Sequence, residues 1–237
     1  MGSTGKRRGV SFDNFSDIPY EKFKNDAEYV RQVAERVERI SNINEWRDSL
    51  TYDEADVLDR YAGNDYEQIN KLQYTKAWED MSSEERKDIA TLHEALNKFE
   101  LTNGIEVNRA TNFKIFGSDE PMTMSEVRNF LMKTDGVVQN DAFMSFSTHR
   151  DGIALEGRGL VIHLKVPPSK GAGAYIGNSY GIDVESEFLT NTNTIMKFDT
   201  SSMYVDGKGQ LHINAEALGR AEAQTISPTY KGNLKRK

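Results

Sequence analysis

The sequence predicts an α+β fold, with helices first and a strand-rich half after them. Three observations predict it. Over roughly the first 100 residues, apolar side chains recur at three- and four-residue steps, the period of a helix with one buried face. Near Ile105 the character changes to short apolar runs separated by Gly, Pro, Asn and Asp, the pattern of strands and turns. The two patterns follow one another in blocks. Alternation would instead indicate a parallel doubly wound sheet.

The first helix is expected to bury Phe23, Ala27, Val30, Ala34 and Val37. Thr51 with Glu54 has the spacing of a capping box, with Ala55 and Leu58 on the buried side and Gly63 as the stop. A short helix carries Tyr66, Ile69 and Leu72. Ser82 with Glu85 opens another, with Ile89, Leu92 and Leu96 as its stripe, and Asn103-Gly104 closes it. In the second half, Ile105–Val107 reads as a strand. Thr123 with Glu126 starts an interrupting helix supported by Val127, Phe130 and Leu131. Further strand-like runs cover 142–146, 160–166, 172–176, 185–189, 194–198 and 203–205. The expected organisation is a flexible N-terminal segment (1–20), one domain (21–220) made of a helical part (21–104) and a β-rich part (105–220), and a basic tail (221–237).

Composition bounds the chemistry. The 237 residues are 37% hydrophobic and 28% charged, enough to form a core and too apolar for a disordered chain. There is no cysteine, which excludes disulfides, thiolate nucleophiles and Cys-ligated zinc. The four histidines, His93, His149, His163 and His212, have no zinc-binding spacing, so no metal is expected. A net charge of −7 argues against broad attraction to nucleic acid, and the basic ends read as solvated tails. No secretory signal is legible and no run approaches the roughly 18 apolar residues of a membrane span. The expectation is a soluble protein; a secreted or delivered effector and a cytoplasmic protein both remain open.

Two familiar motifs fail. Gly171-Ala172-Gly173-Ala174-Tyr175-Ile176-Gly177 resembles a dinucleotide fingerprint, but its last glycine falls one residue late and it leads toward strand-like residues. Neither a phosphate-binding P-loop nor a Gly-x-Ser-x-Gly elbow is present.

Three constellations carry possible chemistry. Glu185-Ser186-Glu187 sits at the head of an apolar run. On a strand, residues two apart share a face, so both carboxylates are expected to project together, roughly 5–7 Å apart. Such a pair suits stabilisation of a cation by one group and base catalysis by the other. Ser145 and Ser147 share a face opposite Phe146 and can orient a carboxylate or a ribose. Arg109 ends the first core strand, where its planar fork can hold a phosphate. Taken singly, each is better explained as ordinary solvated polar residues on a strand.

Their order is more specific. An Arg on the first core strand, then aromatic-x-Ser-x-Ser, then Glu-x-Glu resembles the arginine–serine–glutamate class of ADP-ribosyltransferase toxins. Tyr61-Ala62-Gly63-Asn64-Asp65-Tyr66-Glu67-Gln68-Ile69-Asn70 is similar to a helical segment of the actin-modifying binary toxins and vegetative insecticidal proteins. The stretch 160–167 with Gly173-Ala174-Tyr175, and Glu185–Leu189 with its sequel Asn193-Thr194 and Lys197-Phe198, also resemble that group.

The resemblance implies two antiparallel sheets with NAD, the substrate, in the cleft between them, and no metal. It implies Glu187 as the catalytic glutamate, holding the nicotinamide ribose and stabilising an oxocarbenium ion. Glu185 would position and deprotonate the acceptor, and Ser145 would orient Glu187. Arg109 and Arg158 would hold phosphates, with Ala110 and Ser147 lining the cofactor site. The loop 177–184, with Tyr180 and Ile182, would recognise the acceptor. That acceptor would be a macromolecule, first a host protein, with a delivery partner or antitoxin as further partners.

Three positions depart from the pattern: Asn108 and Leu155 replace expected aromatics, and Ile182 stands where the loop often has one. Three functions follow: transfer to protein arginine, the same chemistry on RNA or DNA, or an inactive fold used for binding.

Overall fold

The structure is a computed structural model that describes residues 10–18, 27–149, 158–177 and 186–218. Helices α1 (Ala27–Ile40), α2 (Ile43–Ser49), α3 (Tyr52–Arg60), α4 (Tyr66–Thr75) and α5 (Ser83–Asn97) precede the main strands, and α6 (Met124–Lys133) interrupts them. The strands are β1 (Phe12–Asp13), β2 (Glu100–Leu101), β3 (Gly104–Thr111), β4 (Val137–Asn140), β5 (Met144–Ser147), β6 (Leu160–Val166), β7 (Ser169–Lys170), β8 (Gly173–Tyr175), β9 (Glu187–Thr190), β10 (Thr194–Val205) and β11 (Leu211–Ala217). This is the expected α+β arrangement.

Local chemistry explains most helix starts. Thr51, Ser82 and Thr123 each form a full capping box with the glutamate three residues on, satisfying two backbone donors at each start. Gly63 does not stop a helix. It is exposed, and the chain stays helical through a π-helical turn, Tyr61–Asp65, that joins α3 directly to α4. The widened turn spares a break that glycine alone does not force. In α1 the buried stripe is Tyr29, Val33, Val37 and Ile40. The expected stripe shares only Val37 with it, because the larger apolar side chains one position round the helix take the core; Phe23 lies outside the described residues.

Eight strands form one hydrogen-bonded path, β4-β10-β11-β6-β3-β5-β9-β8, with β1 added on β3; β2 and β7 form a separate ribbon. The pairs β1–β3 and β11–β6 are parallel and the others antiparallel. Along β3, seven residues align with β6, but a single pair, Asn108 with Ser147, aligns with β5. The sheet thus consists of two halves joined by a narrow seam; where two antiparallel sheets were expected, the strands form one continuous, mainly antiparallel sheet. The runs 194–198 and 203–205 belong to one strand, β10, with an irregularity between Asp199 and Tyr204.

A line of aromatic edges ties the helices to the smaller half. Trp46 meets Phe99 at 5.3 Å, and Phe99 meets Phe188 of β9 at 6.4 Å. The Trp46 indole donates to the Ala95 carbonyl at 2.7 Å, so its polar edge is satisfied inside the core. Part of the segment expected to be flexible is packed down: Phe12 and Asp13 pair with β3, and Phe15 is fully buried. No helix among the described residues is long and apolar enough to cross a membrane.

Candidate active site

The seam between the two half-sheets gathers the polar residues that the motifs single out. Arg109 lies on β3 opposite Ile162. Its Nη1 donates to the Ser145 carbonyl of β5 at 2.6 Å, tying the two halves together. Its Nε is buried and has no hydrogen-bond partner among the described residues. Burial pushes the guanidinium pKa down, with the charges of Glu187 and Arg158 acting in opposite directions. Arg109 is therefore a cation held in the interior with donor capacity unspent, which suits an anionic ligand.

Glu187 opens β9 directly opposite Ser147 of β5 and is 8% exposed. Its carbonyl accepts from the backbone N–H groups of Ile176 at 2.9 Å and Gly177 at 3.2 Å, which fixes the head of the strand from its other side. Ser145 is half-buried and faces Leu189, two residues along from the Ser147–Glu187 pair. Ala110 is buried opposite Val161. Arg158 is exposed just before β6, and its carbonyl accepts from Gln210 at 2.7 Å. Glu185, Tyr180 and Ile182, and the loop 178–184, lie outside the described residues.

The shared face expected of Glu185 and Glu187 lies partly outside the described residues, since Glu185 is not among them. That expectation assumed an unbroken strand through Ser186. Ser186 has φ of 43° and β9 begins only at Glu187. Strand alternation does not carry across a left-handed residue.

Tyr61 and Tyr74 complete the neighbourhood, and motif reading gave neither a role. Tyr61, on the π-helical turn, is buried, and its hydroxyl accepts from Asn70 Nδ2 at 3.0 Å. Burial raises its pKa, and Glu187 and Arg109 lie close enough to act on it. Tyr74 is pushed up to about 12, mainly by burial, with Arg109 pulling the other way. Both phenols stay neutral at physiological pH and act as uncharged walls with polar tips. Asn70 Oδ1 is buried without a partner among the described residues. The available signal was the Tyr-to-Asn segment itself, whose spacing across the extra-wide turn sets Tyr61 inward.

Asn108, where an aromatic was expected before the Arg, serves another purpose. Its Oδ1 lies 2.6 Å from His163 Nδ1, His163 Nε2 lies 2.9 Å from His212 Nδ1, and His212 Nε2 lies 3.3 Å from Asp206. An aromatic at 108 would leave this buried chain without its end partner.

Comparison with known proteins places these residues in a family. The model of the ADP-ribosyltransferase exoenzyme family matches residues 39–220. The chain therefore belongs to that family, and it is an enzyme that uses NAD as its substrate for ADP-ribosyl transfer. Comparison with curated proteins gives no match. Among solved structures, the chain resembles Plx2a, an ADP-ribosyltransferase toxin from Paenibacillus larvae, with 21% identity and a TM-score of 0.65, over 80% of this chain and 96% of that one. It resembles BECa, the ADP-ribosylating toxin of a binary enterotoxin of C. perfringens, with 24% identity and a TM-score of 0.64, over 84% of this chain and 50% of that one. The C3 exoenzyme of Clostridium limosum gives 16% identity and a TM-score of 0.59, over 84% and 98%. At such identities the likeness is one of fold.

Proposed function

We propose that the protein transfers ADP-ribose from NAD to arginine side chains of a target protein, releasing nicotinamide. The reading rests on one observation above others: Arg109 bonds the Ser145 carbonyl of β5, two residues from Ser147, which faces Glu187 across the seam of the sheet, in a chain of the ADP-ribosyltransferase exoenzyme family. The unmet Arg109 Nε supports a phosphate at that point, with Arg158 as a second cation. Ser145, Ser147 and Ala110 would line the ribose side.

In this mechanism Glu187 accepts a hydrogen bond from the nicotinamide ribose and faces the positive charge that develops as the glycosidic bond breaks. Stabilising charge where it appears only in the transition state raises the rate without tightening the ground state. Glu185 acts at the next step. A guanidinium has a pKa above ~12 and attacks poorly while fully protonated, so a carboxylate beside the attacking nitrogen removes the proton as the new bond forms. Tyr180 and Ile182 belong to the loop that would contact the acceptor, a host protein reached with or without a delivery partner.

The test is incubation of the protein with labelled NAD and a cell lysate, followed by mass spectrometry of the labelled material. ADP-ribose on arginine supports the proposal; ADP-ribose on nucleotides, or no NAD consumption, overturns it. Two substitutions separate the carboxylates. Glu187→Gln should lose at least about 100-fold in NAD cleavage while retaining NAD binding. Glu185→Gln should nearly abolish transfer and leave slow NAD hydrolysis largely intact. Equal loss of both activities in Glu185→Gln contradicts the division of labour.

A further inference from the structure

Ser186, between the two glutamates, is fully buried and has φ of 43°. A serine in this left-handed conformation is held there by its surroundings, since L side chains disfavour it. Two contacts among the described residues hold it. Its carbonyl accepts from the Thr148 backbone N–H at 3.0 Å. Its hydroxyl lies 2.6 Å from the hydroxyl of Tyr29, a buried bond across 157 residues of sequence.

Tyr29 belongs to α1 and lies before the residues that the family model matches. Its ring also packs on His149 at 5.6 Å, and the His149 backbone N–H donates to Ser147 Oγ at 3.1 Å. Ser147 is the residue opposite Glu187. Tyr29 therefore touches both approaches to Glu187: the turn that leads into it and the strand end beside it. The helix that carries Tyr29 is itself anchored. Arg36 pairs with Asp13 at 2.9 Å and with Asp17, and Phe15 meets His149 at 6.1 Å. Asp13 pairs with β3, the strand that carries Arg109.

We propose that Tyr29 is a positioning residue for catalysis. Through Ser186 it holds the left-handed turn that sets the direction of Glu187 at the head of β9. The proposal rests on the role given above to Glu187. The hydroxyl pair has no contact with NAD in this reading, so its loss changes the rate of bond cleavage and leaves NAD affinity alone.

The experiment compares Tyr29→Phe, Ser186→Ala and the double variant with the wild-type chain, by NAD hydrolysis kinetics and by NAD titration of intrinsic fluorescence. Each single variant should lower kcat by about tenfold, because misplacement of a reacting group by a fraction of an ångström is costly. KM and NAD Kd should stay within about twofold, as expected when only transition-state stabilisation is lost. The double variant should be no slower than either single one, because both remove the same bond. Val33→Ala loosens α1 without touching Ser186; it should lower the melting temperature and leave kcat unchanged. An unimpaired kcat in Tyr29→Phe, additive losses in the double variant, or an equal kcat loss in Val33→Ala overturns the proposal. Glu187→Gln measured alongside keeps the two readings apart. A fully active Glu187→Gln removes the role of Glu187, whereas a crippled Glu187→Gln beside an unimpaired Tyr29→Phe removes only that of Tyr29.

Discussion

Arg109 shows how much one side chain is asked to do. It bridges the half-sheets through Ser145, lies within the reach of Glu187, and keeps a buried donor unspent. A lysine retains the charge but lacks the fork, so it cannot hold the Ser145 carbonyl and a phosphate at once. Arg109→Lys should weaken NAD binding by about tenfold or more, read by titration calorimetry; unchanged affinity would remove Arg109 from the phosphate site. At this scale the sequence was legible where a residue's placement depends on its own strand. Short motifs singled out Arg109, Ser145, Ser147 and Glu187, which the structure brings to one seam. Tyr61 and Tyr74 were not, because their approach to Arg109 depends on how α3 and α4 are joined. Tyr29 was missed for the same reason, since its partner Ser186 lies 157 residues away.

Elements were read best where a local signal closes on itself. The three capping boxes appear where the spacing predicted them, because each is made by residues three apart. Strand β6 falls at Leu160–Val166 as expected, an apolar run bounded by turn residues. Strand β11 was missed although Leu211-His212-Ile213-Asn214-Ala215-Glu216-Ala217 alternates between core and surface; two of its inward positions are alanines, which give a weak period-two signal. The turn after β8 carries a prediction of its own. A Cβ at Gly177 would stand 2.7 Å from the Tyr175 hydroxyl and 3.0 Å from the Glu187 backbone nitrogen. Gly177 also donates to the Glu187 carbonyl, so the strand head cannot withdraw without breaking that bond. Gly177→Ala should therefore cut NAD cleavage several-fold, by roughly the cost of a sub-ångström shift in the glutamate, with the far-ultraviolet circular dichroism spectrum unchanged. Full activity in a folded Gly177→Ala would show that β9 tolerates the shift.

The whole molecule carries many carboxylates whose charged form the fold favours. Asp17 is held below its usual range by its hydrogen bond to Arg36, Glu85 by Lys76, Glu126 by the Thr123 backbone, and Asp206 by the Gln210 backbone. Glu54 is the most enclosed of them. Burial works against its charge, but the Lys98 ammonium at 2.6 Å and the Thr51 N–H outweigh it and lower its pKa. A group with a depressed folded pKa contributes stability that is fully present above its unfolded pKa and is lost as pH falls through the folded value. With unfolded carboxylates near pH 4, the melting temperature should hold between about pH 7 and 5 and fall below about pH 4. Most of these pairs are exposed and individually small, so their sum is what the acid limb measures. Self-repulsion acts in the same direction there: with every carboxylate protonated, 30 Lys and Arg plus 4 His leave a charge near +34. The part played by charge can be tested at Glu54. Lys98→Ala strands a buried carboxylate and should cost about 1–3 kcal/mol at pH 7. That cost should shrink as pH falls through the folded pKa of Glu54, which Lys98 holds below the ordinary carboxylate value. Relief of self-repulsion acts in the same direction, because removing a cation favours the positive chain most at low pH, so the comparison sets charge against packing. A Lys98→Ala deficit that is the same at pH 7 and pH 3, measured by thermal melts of both proteins, would mean that Lys98 stabilises through packing and its bond to the Ser49 carbonyl, and not through the charge of Glu54.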